Sequence, residues 1–166
     1  HAYIITAWSM YESKDQLWRD ICGKKNPDEL IEEGQENKLV DAVAAKYLEG
    51  HIKKILNDLE KNKIMLLIET PDCRSPSYRG YFRLVRPKDI CSLMKKINSA
   101  YVRSTIDFEH VATHGLDVMK EVKALGSRDG EYVKMLHVGS QPSPAHLHKP
   151  VERGDLFLYK LMWELK

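Results

Sequence analysis

The chain has 166 residues, 43% of them hydrophobic and 30% charged, a balance that fits one compact domain over 1–166 and excludes disordered and collagenous classes. The formal net charge of +2 is too small to mark a nucleic-acid or membrane-surface protein by its total, so the distribution of charge has to decide. Cys22, Cys73 and Cys91 lie far apart without a CxxC pair, which points away from a disulfide framework or cysteine zinc site and toward a reducing compartment. No apolar run approaches the ~20 residues of a membrane helix and no leader pattern opens the chain, so an intracellular protein, nuclear or cytoplasmic, is expected.

Ala2-Tyr3-Ile4-Ile5-Thr6 is short, apolar and rich in β-branched and aromatic residues, as a strand buried on both faces would be. Met10 to Ile21 reads as an irregular helix, Gly23 to Pro27 as a loop, and Asp28 to Glu36 as an acidic, solvated stretch. From Glu36 to Lys61, apolar residues including Leu39, Val43, Ile52, Ile55, Leu56 and Leu59 recur at helical spacing. The continuous run from Lys63 to Glu69 predicts a central strand. Pro71 to Ser77 reads as a turn into Tyr78 to Val85, whose alternation of apolar and basic residues predicts a hairpin partner.

Pro87 starts a predicted helix to about Ile97, Val102 to Phe108 reads as a strand, and Leu116 to Val122 as a short helical turn. Ser127-Arg128-Asp129-Gly130 is a turn signal before an apolar stretch holding Val133, Leu136 and Val138. Gln141 to Pro150 is loop-like, and Val151 to Leu165 is apolar enough to dock as a final helix or strand.

Charge is segregated. Between Arg74 and Arg103 there are eight basic residues, among them Arg79 and Arg83, against the single acid Asp89. Such a surface tracks a phosphate backbone by displacing its counterions, or else it is a solvated face paired with the acidic stretch. Trp8 and Trp18 are candidates to stack on an unpaired base, with core packing as the plainer role. His146-Leu147-His148 with Glu152 has the spacing of half a cupin metal motif, and Glu121-Val122-Lys123 after Asp72 echoes a restriction-nuclease pattern. His110 and His114 would lie one turn apart on a helix. Gly-rich phosphate loops and nucleophile motifs are absent, and a protein without catalytic residues, cofactor or metal is expected.

The order of segments resembles the YTH domain, a reader of N6-methyladenosine in RNA. Tyr3-Ile4-Ile5 is similar to its opening strand and Glu36 to Val43 to its following helix. Met65 to Ile68 with Ser75 to Leu84 resembles its hairpin, and Thr105-Ile106-Asp107-Phe108 a later strand. Val122-Lys123, Ser127-Arg128-Asp129-Gly130-Glu131 and Gly139-Ser140-Gln141 resemble its "VKI-x-RDGQE…G-x-QL" signature, and the apolar stretch from Asp155 a closing helix.

The resemblance implies a mixed α/β, PUA-like fold, with a curved, barrel-like sheet packed with helices around an aromatic base pocket. It assigns Lys123, Arg128 and Asp129 to phosphate or sugar contacts, with Arg79 and Arg83 adding basic surface, and places the base pocket among Trp8, Ser9, Glu12, Trp18 and Cys22. The function it implies is non-catalytic binding of single-stranded RNA by a monomer, away from membranes, with N6-methyladenosine as a candidate base. A PUA-like reader of modified DNA in a restriction-type system is an alternative, as is an enzyme on nucleic acid or nucleotide using Glu121, Asp72 or the histidine pair. A protein-interaction domain is a further alternative.

Overall fold

A computed structural model of the chain describes residues 36–72, 84–145 and 148–165. The first described element is α1 (Glu36–Asn62), which turns Leu48, Ile52 and Leu59 into the interior while Ile55 faces outward. It leads into β1 (Leu66–Glu69), buried along its whole length. Next comes α2 (Pro87–Ile97), with Pro87 in its first turn, where a missing N–H costs nothing. Its Ile90, Leu93, Met94 and Ile97 fall at helical spacing on one buried face, and Asn98 ends it in the left-handed conformation (φ 51°).

Strand β2 (Val102–Asp107) passes directly into the short α3 (Phe108–Thr113), and α4 (Val118–Asp129) follows after a turn. A 3₁₀ turn over Gly130–Tyr132 leads into β3 (Val133–His137), and α5 (Leu156–Glu164) is the last element. Aspartates cap three of these helices. Asp107 accepts from the His110 N–H, Asp117 from Lys120 and Asp155 from Leu158.

The three strands form one sheet in the order β1-β2-β3, and both pairings are parallel. Leu66 pairs with Val102 through to Glu69 with Thr105, and Asp107 ends level with His137. The register of β2 and β3 slips between Ser104 and Thr105, whose partners are Val133 and Met135, so Lys134 is the extra residue. Two apolar clusters flank the sheet. One joins α1, α2, β1 and the start of β2, and the other gathers Ile106, Phe108, Val111 and Val122 with Leu161 of α5. No helix among the described residues is long and apolar enough to cross a membrane.

This architecture corrects the expected curved, barrel-like sheet: the described sheet is small, open and wholly parallel. The physical reason lies in β1 and β2, which are buried almost throughout, and in the helices that separate successive strands, the arrangement that parallel pairing requires. The hairpin expected between Lys63–Glu69 and Tyr78–Val85 falls largely outside the described residues. Leu84 and Val85 are not in a strand, and the described partner of β1 is β2. The helical turn expected over Leu116 to Val122 belongs to the longer α4, interrupted at Gly126 (φ +62°).

Two measurements check this core. Phe108 is fully buried in the second cluster, so Phe108→Ala is expected to cost about 3–5 kcal/mol in chemical denaturation. Burial, relieved little by Ser104 3.8 Å away, pushes the Cys91 thiol up to about 11. In a Cys22→Ser, Cys73→Ser background, Cys91 should react with a thiol reagent at pH 8 about a hundredfold more slowly in the native than in the denatured chain.

Candidate metal centre

Each strand ends on a polar residue at the same edge of the sheet: Glu69 closes β1, Asp107 closes β2 and His137 closes β3. Parallel pairing places these three ends side by side, and the slip at Lys134 brings His137 level with Asp107. One ligand atom from each residue lies within 4.8 Å of the others. His137 Nδ1 is 2.8 Å from Glu69 Oε1 and 3.3 Å from Asp107 Oδ2. The two acids are buried, at 7% and 3% exposure, whereas the His137 side chain is 43% exposed and forms the open side.

Backbone geometry holds the carboxylates in place. The Asp107 N–H donates to Thr70 Oγ1 at 2.9 Å, and the Thr70 hydroxyl donates to the Asp107 carbonyl at 3.2 Å, which joins the ends of β1 and β2. Asp107 uses Oδ1 to cap α3, leaving Oδ2 turned to His137. That cap carries His110 to the same place. Its Nδ1 is 2.7 Å from the Thr70 carbonyl and 3.9 Å from Glu69 Oε1, and its Nε2 is 3.7 Å from Asp107 Oδ2. An imidazole that donates Nδ1–H to a backbone carbonyl presents the Nε2 lone pair, as metal-bound histidines do.

Beside the cluster is a cavity of about 340 Å³, whose walls include Asp107, Glu109, His137, Gly139, His148 and Lys149. The segment after β3 closes over it through a 2.9 Å bond from the Ser140 N–H to the Lys149 carbonyl. This brings the exposed His148 ring to 6.4 Å from that of His110, nearly edge-on.

The residues singled out in the sequence divide into four groups. His110 joins the cluster, and His148 from the His146-Leu147-His148 motif lines the cavity. His114 instead bonds the Pro71 carbonyl at 2.9 Å, Glu121 pairs with Arg86 at 3.1 Å, and Lys123 pairs with Glu164 at 3.2 Å. Arg128 is exposed and Asp129 half-buried at the end of α4, leading into the amino end of β3, whereas the cluster lies at the carboxyl end. Trp8, Ser9, Glu12, Trp18, Cys22, Arg79, Arg83 and His146 lie outside the described residues.

Sequence reasoning missed Glu69, Asp107 and His137. A partial signal was present, because each is a polar residue that directly follows an apolar one at its strand's end, Leu67-Ile68-Glu69, Ile106-Asp107 and Leu136-His137, although Arg103, Ser104, Thr105 and Lys134 dilute it in β2 and β3. A charged residue at the carboxyl end of a parallel strand faces the crevice where α/β sheets bind ligands. Compared with known proteins, the chain matches no family model and no curated protein sequence.

Proposed function

We propose that the protein is a metal-dependent enzyme, with a divalent cation held by Glu69, Asp107 and His137 and with His110 beside it. The observation that carries this reading is the convergence of three ligand atoms within 4.8 Å at the carboxyl ends of three successive parallel strands. Two carboxylate oxygens and an imidazole nitrogen form a mixed hard and borderline donor set, suited to Mn²⁺, Fe²⁺, Co²⁺ or Zn²⁺. The two acids stand buried between the His137 and His110 rings. A cation there offsets charge that solvent reaches poorly.

Such an ion, held by Glu69, Asp107 and His137, would supply Lewis-acid chemistry to an oxygen brought to it. The half-exposed face of His137 and the cavity beside it give a small molecule, or one end of a larger one, access to the ion. Glu69 and Asp107 would hold it, the Thr70 bonds to the Asp107 backbone join the two strand ends, and His110 is oriented by the Thr70 carbonyl. The substrate class is therefore an oxygen-bearing group able to reach a metal ion. The single-stranded RNA reading draws on Lys123, Arg128 and Asp129, which stand apart from this centre, and on Arg79, Arg83, Trp8, Ser9, Glu12, Trp18 and Cys22, which lie outside the described residues.

Calorimetric titration with Mn²⁺ tests the proposal. The wild-type chain should bind one ion per molecule at the centre. Asp107→Asn and His137→Ala should each weaken it by more than the roughly 10–100-fold that losing an outer-shell partner costs, with circular dichroism unchanged. A wild-type protein that takes up no Mn²⁺, Co²⁺ or Zn²⁺ would remove the reading.

A further inference from the structure

Glu109 is a buried acid that neither the fold nor the cation site accounts for. It lies in α3 between Phe108 and His110, is only 2% exposed, and lines the same cavity as Asp107 and His137. One carboxylate oxygen, Oε2, accepts from the Ser143 N–H at 3.3 Å. The other, Oε1, has no hydrogen-bond partner among the described residues. A buried carboxylate oxygen without a donor is costly, and native structures retain such groups where something else supplies the donor.

Gly139 is matched to this oxygen. A Cβ at position 139 would come within 2.9 Å of Glu109 Oε1 and 3.3 Å of the Lys149 carbonyl, so a side chain there would drive the carboxylate from its place.

We propose that Glu109, through Oε1, accepts a hydrogen bond from an N–H or O–H group on the molecule bound at the cation, so that ligands bearing such a donor next to their metal-binding oxygen are selected. This rests on the cation site proposed above. Glu109 is then a specificity residue rather than a ligand of the ion: the cation fixes one end of the molecule and the carboxylate reads the adjoining group. A ligand without the donor leaves a buried acceptor unpaired, the situation that gives polar sites their strongest discrimination.

A matched pair of chelators tests this on the Mn²⁺-loaded chain. Acetohydroxamic acid and its N-methyl analogue both chelate the ion through two oxygens, but only the first has an N–H. The wild type should bind the first at least about tenfold more tightly. In Glu109→Gln, the Ser143 N–H holds the amide oxygen and puts the NH₂ where Oε1 stood. The preference should then fall below about threefold while Mn²⁺ affinity changes by less than about threefold. Gly139→Ala, which keeps the carboxylate but displaces it, should lose the preference in the same way.

Equal binding of the two chelators by wild-type protein that holds Mn²⁺ would overturn the role of Glu109 alone. A loss of Mn²⁺ affinity beyond about tenfold in Glu109→Gln would make it a ligand of the ion and overturn the proposal. Failure of the wild type to bind Mn²⁺ would overturn both this inference and the cation site.

Discussion

Two carboxylates that solvent barely reaches, Glu69 and Asp107, face one edge of the His137 ring at 2.8 and 3.3 Å. Withdrawing a carboxylate from water costs several kcal/mol, and the His137 and His110 rings and the His110 N–H on Asp107 Oδ1 offset part of it. The fold bears that cost through what lies on either side. Ile68 immediately precedes Glu69, Ile106 and Phe108 bracket Asp107, and all three apolar side chains are buried almost completely. The strands thus place their apolar residues in the core and a polar residue at the end of each.

Local structure was legible where the signal itself was local. The periodicity between Glu36 and Lys61 marks α1 to within a residue, Pro87 opens α2, and the run from Val102 marks β2. Partnership was not legible. The continuous apolar stretch ending at Glu69 already had the character of a parallel strand, but the alternation in Tyr78 to Val85 favoured an antiparallel neighbour. What decides the described pairing is the burial of α2 and β2 against β1, a long-range effect that a window of ten residues does not contain. The turn read at Ser127 to Gly130 is a smaller case of the same kind. The helical path breaks at Gly126, whose positive φ a glycine adopts without strain, and the chain then coils through a 3₁₀ turn into β3.

The site was less legible than the fold because its members are far apart in sequence. Asp107 and Glu69 precede His137 by 30 and 68 residues, and only parallel register makes them neighbours. The two histidines noted for their spacing make the same point. The ring of His110 meets the Thr70 carbonyl and that of His114 the Pro71 carbonyl, partners 40 and 43 residues away. Together they tie α3 to the segment leaving β1. One of the pair thereby reaches the acids, while the other is spent on the backbone. The spacing of four residues was real, but it described a helix docked on a neighbouring chain segment rather than two ligands of one ion.

Two parts of the molecule meet at the centre with different mechanical character. The strand ends are braced from both sides by Thr70 and by the α3 cap, so the positions of Glu69 and Asp107 are set by the sheet. After β3, the Ser140 N–H bonds the Lys149 carbonyl and the Ser143 N–H moors the chain to Glu109 of α3. This part of the chain carries His148 over the cavity without belonging to the sheet. A cation site needs ligand atoms held to a fraction of an ångström, which rigid elements provide, whereas selection among ligands tolerates and uses a loop. The division follows from that difference: the acids that would hold the ion end the strands, and the groups that would distinguish what approaches it lie on the loop and on the helix turn to which the loop is tied.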